Sequence, residues 1–293
     1  MNSIRELGPG DAAIFRDDEQ LPWNVERLDD TLLIQSPALS CAAEDQAAML
    51  RGALYANVSG QLPATSRFMA DAEAGLRLQH AAPFSQADAA LTRAERQYAD
   101  CRAALLAPAW TDETHAGNEA TAPRDIAPEH AHLFDALERT IAADEDLSVT
   151  YERRPEDAMA VFESFDAEWL IAVRPGADPD TLALVMALTT APEDEPDASA
   201  TMLRALQLND AGMLGTEVTL GCDIDGASLL LQTGISPLTA SVEDVQAAIG
   251  RLIAGSKPIR TALVTSGNSL AAATPSPAQT SECLHAFMSA WRA

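Results

Sequence analysis

The chain has 293 residues, of which 47% are apolar, so it is long enough to bury a substantial core and is not compositionally disordered. It carries 44 acidic against 19 basic residues, a formal net charge of −25. That balance argues against nucleic acid and against anionic membrane surfaces, since both are bound by neutralising negative charge. It suits basic or neutral partners, and it is equally the balance of an ordinary acidic soluble protein.

The four cysteines, Cys41, Cys101, Cys222 and Cys283, have no regular spacing. Neither a disulfide framework nor a zinc site is expected, and reduced thiols fit a cytoplasm. The opening "MNSIRELGPGDAAIF" lacks the basic stretch and long apolar run of a secretory signal. No stretch approaches the roughly 20 apolar residues that cross a bilayer.

In chain order, three strands are predicted first: "AAIFR" (12–16), "WNVERL" (23–28) and "TLLIQS" (31–36). A helix follows, with Ser40 as N-cap and Met49, Leu50, Ala53, Leu54 and Val58 at helical spacing, ended by Gly60. "SRFMAD" (66–71) and "GLRLQH" (75–80) read as a hairpin, and residues 86–106 as a long amphipathic helix. Residues 108–127 mix Pro, Gly, Thr and acids without period, as a linker does.

The second half restarts with a helix from Pro128, "PEHAHLFDALERTIAADE". Four β-branched and apolar runs come next: "LSVTYE", "MAVFESFD", "EWLIAVR" and "TLALVMALTTA". A helix over 198–208 precedes a hairpin, "TEVTLGCD" and "ASLLLQTG", turning at Ile224-Asp225-Gly226. The helix "SVEDVQAAIGRLIAG" has Ser241 as N-cap, Asp244 in the capping-box position and Gly255 as C-cap. The partition is thus 1–107, a linker at 108–127, 128–256, and a tail at 257–293 with a short amphipathic helix.

One phrase is said twice. "MLRGALYANVSGQLPATSRFMADAEAGLRLQHAAPF" (49–84) and "MLRALQLNDAGMLGTEVTLGCDIDGASLLLQTGISPL" (202–238) share a helix opening, a Leu-x-x-Asn, a turn and a hairpin. The expected architecture is α+β: two tandem units, each an antiparallel sheet packed with helices. The repeat is of a whole domain and not of a solenoid.

Catalytic and metal motifs are weak. There is no Walker A, GxSxG or HExxH. His130 and His132 stand two apart and face different sides of a helix. Asp223 and Asp225 resemble the start of a calcium loop, but a hairpin turn reads better. Cys101 and Cys222 sit on apolar faces, and the five histidines show no legible pairing with Ser or Asp. No enzyme activity, cofactor or metal is expected.

The order helix, three strands, helix, hairpin, helix, with an acidic balance, resembles the class I type III secretion chaperones of the Tir-chaperone (CesT-like) family. The carrying residues are Leu54–Asn57 and Leu206–Asn209, Gly60 with Gly212 and Gly215, and Pro83-Phe84 with Pro237-Leu238. The likeness covers about 128–255 well and 12–106 more loosely. Two departures stand out. Family members are mostly single domains pairing as homodimers, whereas here two copies share one chain, which is then expected to run as a monomer acting as a pseudo-dimer. The first copy also lacks a full leading helix, a gap that residues 282–292 are expected to fill.

The resemblance implies a bacterial cytoplasmic chaperone, independent of ATP, that binds the N-terminal segment of a secreted effector and keeps it export-competent. Its peptide-binding candidates are Trp23, Val25 and Phe68 in the first half, and Val161, Phe165, Trp169 and Ile171 in the second. Core packing is the competing reading of each, because large apolar residues are mostly buried. The competing function is a structural or regulatory module of a secretion system built on the same fold.

Overall fold

The structure is a computed structural model that describes residues 4–39, 45–63, 65–71, 73, 75–105, 128–142, 149–154, 159–164, 169–192, 195–210, 214–223 and 226–264. A short 3-10 turn, Ile4–Glu6, opens it. Then come β1 (Ala12–Arg16), β2 (Pro22–Leu28), β3 (Thr31–Gln35), α1 (Gln46–Val58), β4 (Ser66–Ala70), β5 (Leu76–Pro83) and α2 (Ala87–Leu105). The second half runs α3 (Pro128–Ala142), β6 (Val149–Arg154), β7 (Met159–Ser164), β8 (Leu170–Pro175), β9 (Leu182–Thr190), α4 (Glu195–Leu208), β10 (Val218–Cys222), β11 (Ser228–Ile235) and α5 (Val242–Val264).

The fold is α+β, with two wholly antiparallel sheets. The first has the order β1-β2-β3-β5-β4, and the second β6-β7-β8-β9-β11-β10. The orders match strand for strand once β6 is set aside: a three-strand meander, a helix, and a hairpin inserted beside the third strand. The expected linker and the tail helix at 282–292 fall outside the described residues.

Both hairpins turn on an aspartate. Asp71 Oδ1 accepts the amides of Glu73 (3.1 Å) and Gly75 (2.7 Å). Burial alone would raise the Asp71 carboxyl. Arg77, at 2.8 Å, and the two amides nevertheless hold it below the ordinary carboxylate range. Asp223 does the same job in the second half, its Oδ1 accepting Ser228 N–H at 3.1 Å. Asp223 is therefore a turn residue, where an Asx side chain substitutes for a backbone acceptor.

Helix ends follow local chemistry, with one correction. α1 starts with Asp45 in the N-cap position, and the expected cap, Ser40, lies outside the described residues. It stops where Gly60 takes φ +82°, as expected. At α5 the capping box forms: Asp244 Oδ2 accepts Ser241 N–H at 2.9 Å, and Ser241 Oγ accepts Asp244 N–H at 3.3 Å. The expected C-cap at Gly255 does not. The helix continues through Gly255 and Pro258 to Val264. Leu252, Ile259 and Leu263 are all buried on its one face, and their burial outweighs both breakers.

The core is continuous across both halves. Trp23, Leu32, Phe68 and Leu78 belong to the same buried cluster as Phe162, Leu184, Leu220 and Leu231. β9 is apolar on both faces. Leu184, Met186 and Leu188 join that cluster, while Ala183, Val185 and Ala187 join a second one with Leu230 and Val58 of α1. A strand covered on both sides reads as an unbroken apolar run, "LALVMAL", and this one does.

Candidate functional site

Two features stand out: a seam between the halves, and the outer edge of the first sheet at β1. The seam is crossed. α1 lies on β10 and α4 lies on β4, so each helix covers a strand of the other half. α1 is buried over most of its surface from Met49 to Val58, with Arg51 exposed and Tyr55 half-buried, as expected of a largely apolar helix.

Side-chain hydrogen bonds hold the seam, some within a half and some across it. Asn57 Oδ1 accepts Phe68 N–H at 2.6 Å, and its Nδ2 donates to the carbonyls of Phe68 (3.0 Å) and Leu220 (3.1 Å). Asn209, at the end of α4, accepts Leu220 N–H at 2.7 Å and donates to Leu220 O at 2.8 Å. Arg67 on β4 donates to the carbonyls of Gly215 (2.8 Å), Thr216 (2.6 Å) and Val218 (2.7 Å). Burial pulls its guanidinium down to about 10. Gln79 donates to Asp210 at 3.3 Å. At Gly221 a β-carbon would stand 2.6 Å from Leu54 O and 2.7 Å from Val58 Cγ2, so only glycine lets α1 approach β10 this closely.

Among the described residues β1 pairs only with β2, as β6, the corresponding outer strand of the second sheet, pairs only with β7. Arg27 N–H donates to Asp11 O (2.9 Å) and Asp17 N–H to Leu21 O (3.3 Å). Antiparallel pairs alternate, so the odd residues of β1 bond to β2, while Ala12, Ile14 and Arg16 turn N–H and C=O to the free side. Ile14 is 68% exposed.

Hollows flank this edge. One, of about 220 Å³, lies over Ile14, Asn24, Glu26 and Leu33. The other, of about 320 Å³, lies past the C-terminal end of β1 among Asp17, Asp18, Glu19 and Glu95, with Arg16 and Arg102 also at its wall. Its floor is Trp23 and Tyr98, packed edge to face at 5.5 Å. Trp23 Nε1 donates to Asp17 Oδ2 at 3.0 Å. Burial, then Asp17 and Asp18, push the Glu95 carboxyl up, so extra negative charge is disfavoured there and a cation is favoured.

The expected peptide-binding residues do not form one surface. Trp23, Val25, Phe68 and Ile171 lie inside the main core, and Val161 is also buried, at 2% exposure. A peptide would reach these five only by displacing what covers them. Trp169 is half-buried against the core, and Phe165 lies outside the described residues. Alternation along a strand says which residues share a face, not whether that face is covered.

Ser66 and His80 are a pair the sequence reading missed. They stand opposite each other in the β4–β5 register, which the turn at 71–75 sets. Ser66 Oγ donates to Gln97 Oε1 at 2.8 Å, so His80 Nδ1, 2.7 Å away, is the donor to Ser66. Both residues are buried beneath α2, and His80 Nε2 has no hydrogen-bond partner. Burial, then Arg93, lowers the imidazole to about 4, so it is neutral at pH 7. A Ser–His pair sealed in this way has no route to substrate and acts as a core network.

Among the described residues no group of three or more His, Cys, Asp or Glu could hold a metal ion. None of the described helices is long and apolar enough to cross a membrane. Neither known family models nor the curated proteins contain a match to this chain.

Proposed function

We propose that this chain is a tandem secretion-type chaperone: two sheet-and-helix units joined head to head as a pseudo-dimer, which hold an extended segment of a secreted protein without ATP. The observation that carries the reading is the crossed seam. A homodimer pairs the same surface with itself. Here α1 covers β10 while α4 covers β4, and the doubled asparagines Asn57 and Asn209 each grip a residue eleven positions later, Phe68 and Leu220.

Duplication explains why the repeated phrase is structural, with its Ser66–His80 pair and Cys222 buried in the core. It encodes the pairing helix and the hairpin, which together form the seam. The task left to the outer edges is binding, and an unpaired strand beside shallow hollows suits an extended peptide. The surplus of acid keeps such a surface soluble and favours basic segments.

The experiment is affinity purification of the tagged full chain from its native cells, with limited proteolysis of what comes down. The expected partner is a secreted protein held through its N-terminal segment. In light scattering the complex-free chain is expected as a monomer, because both pairing surfaces are already joined. A partner drawn only from the secretion machinery itself would replace this reading with that of a structural or regulatory module.

A further inference from the structure

Each sheet has a row of facing residues that starts from the repeated phrase. In the first sheet it runs Arg67, Gln79, Gln35, Asn24, Ile14 and stops. In the second it runs Thr219, Gln232, Val185, Ala172, Val161 and continues to Glu152 of β6. Ile14 and Val161 are therefore equivalent. Val161, with β6 alongside, is 2% exposed, whereas Ile14, with no strand alongside among the described residues, is 68% exposed.

We infer that β1 is the single strand-accepting edge of this protein, and that β6 is a built-in copy of the strand it accepts. The assignment deepens the peptide-binding reading above and rests on it. The register is given by β6, which is antiparallel, with Tyr151 facing Phe162 and Arg153 facing Ala160. On β1 the same two positions are Phe15 and Ala13. The ligand thus places an aromatic or large apolar residue opposite Phe15, where Tyr151 packs tilted against Phe162 at 5.2 Å in the second half.

Charge names the rest of the ligand. An antiparallel strand begins beside the C-terminal end of β1, at the hollow of Asp17, Asp18, Glu19 and Glu95. Arg16 and Arg102 also line that hollow, but the four carboxylates outnumber them, so a basic residue just before the strand is favoured there. A second copy of this chain does not fit, since β1 paired with itself would bring Asp17–Glu19 against Asp11. β6, the corresponding outer strand of the second sheet, carries the exposed charge of Glu152, a usual guard of edges, whereas β1 carries the exposed apolar Ile14. Occupancy is therefore one peptide per chain, where a symmetric dimer would offer two sites.

The test uses the full chain and a fluorescein-labelled peptide of the β6 sequence, VTYERR, behind two lysines and a photo-crosslinker. Saturable binding of one peptide per chain is expected, weakening with salt, with cross-links within residues 11–19. Ile14→Pro removes an outward N–H without touching the β1–β2 ladder, and it should weaken binding at least tenfold with an unchanged melting curve. Replacing the lysines by aspartates should do the same. Two peptides per chain, cross-links elsewhere, indifference to the aspartates, no binding, or self-association abolished by Ile14→Pro would each overturn the assignment. Should Ile14→Pro unfold the chain, the cross-link map and the stoichiometry decide. The two readings fail separately. A secreted partner that still binds Ile14→Pro retires the β1 edge but not the chaperone. Peptide binding at β1 with no secreted partner in cells does the reverse.

Discussion

Asn57 and Asn209 meet at one atom: each donates its side-chain amide to the carbonyl oxygen of Leu220, at 3.1 and 2.8 Å. The position of that oxygen explains why. Asp223 N–H bonds to Ser228 O, so alternation along the β10–β11 hairpin turns the peptide groups of Leu220 outward, to the edge of the sheet. Phe68 is outward on β4 for the same reason, and Asn57 takes its N–H and C=O. The two asparagines close two sheet edges and tie them together.

Asn57→Ala strands a buried N–H at Phe68, and Asn209→Ala strands one at Leu220. Each should lower stability by about 2–4 kcal/mol, the cost of one or two unmet buried groups. In either single variant Leu220 O keeps one donor; in the double variant it keeps none. The double loss should therefore exceed the sum by about 1 kcal/mol in a urea-unfolding cycle. Strict additivity would mean that the shared oxygen does not couple the halves.

Gly221 is the steric counterpart. Ala there drives a methyl into Leu54 O and Val58, and the helix must lift off β10. Overpacking of this kind costs about 1–3 kcal/mol. Gly234, on neighbouring β11, has open space at its β-carbon, so Gly234→Ala should cost less than about 1 kcal/mol. Equal melting temperatures for the two variants would refute the close approach.

Much of this was legible in the chain. β1 matches its reading of 12–16, and Leu-x-x-Asn marked both helices of the seam, because such signals are local. The crossed pairing was not legible: nothing within α1 says that its apolar girth meets β10 and not a lid of its own. Core packing, the competing reading of Trp23, Val25 and Phe68, is borne out by their burial; the same limit hid the free edge of β1. An edge is defined by the strand that is not there, and "AAIFR" reads alike with or without a neighbour.

His80 predicts a pH dependence whose sign follows from its environment. Its ordinary value is 6.5 and its folded value about 4. Between the two, the unfolded chain binds a proton that the folded chain excludes, so stability falls as pH drops from about 6.5 towards 4 and is fully retained above. The gap corresponds to on the order of 3 kcal/mol. His80→Gln keeps a bond to Ser66 and cannot titrate. The stability lost between pH 7.5 and pH 4.5 should shrink by about 2 kcal/mol in that variant. An unchanged loss would mean that the imidazole takes up its proton in place.

Gly255 separates two accounts of α5 with one methyl group. As a C-cap it would hold a left-handed conformation, and Ala would destabilise the helix end. In the structure it lies inside the helix, nine residues before its end, and it is not among the glycines with positive φ. A β-carbon there meets Ile259 Cδ1 at 3.6 Å and Leu231 Cδ2 at 3.7 Å, which is ordinary contact. Gly255→Ala should therefore stabilise the protein by about 0.5–1 kcal/mol, by restricting the unfolded chain and adding apolar contact. Pro258 sharpens the test. It removes one helical N–H and leaves the Ala254 carbonyl without its usual donor, so the turn around Gly255 is held by packing of Leu252, Ile259 and Leu263 more than by its ladder. A better helix former at 255 should then raise the thermal midpoint and slow amide exchange from 252 to 263. Destabilisation with faster exchange beyond 255 would put the helix end where the local signal placed it.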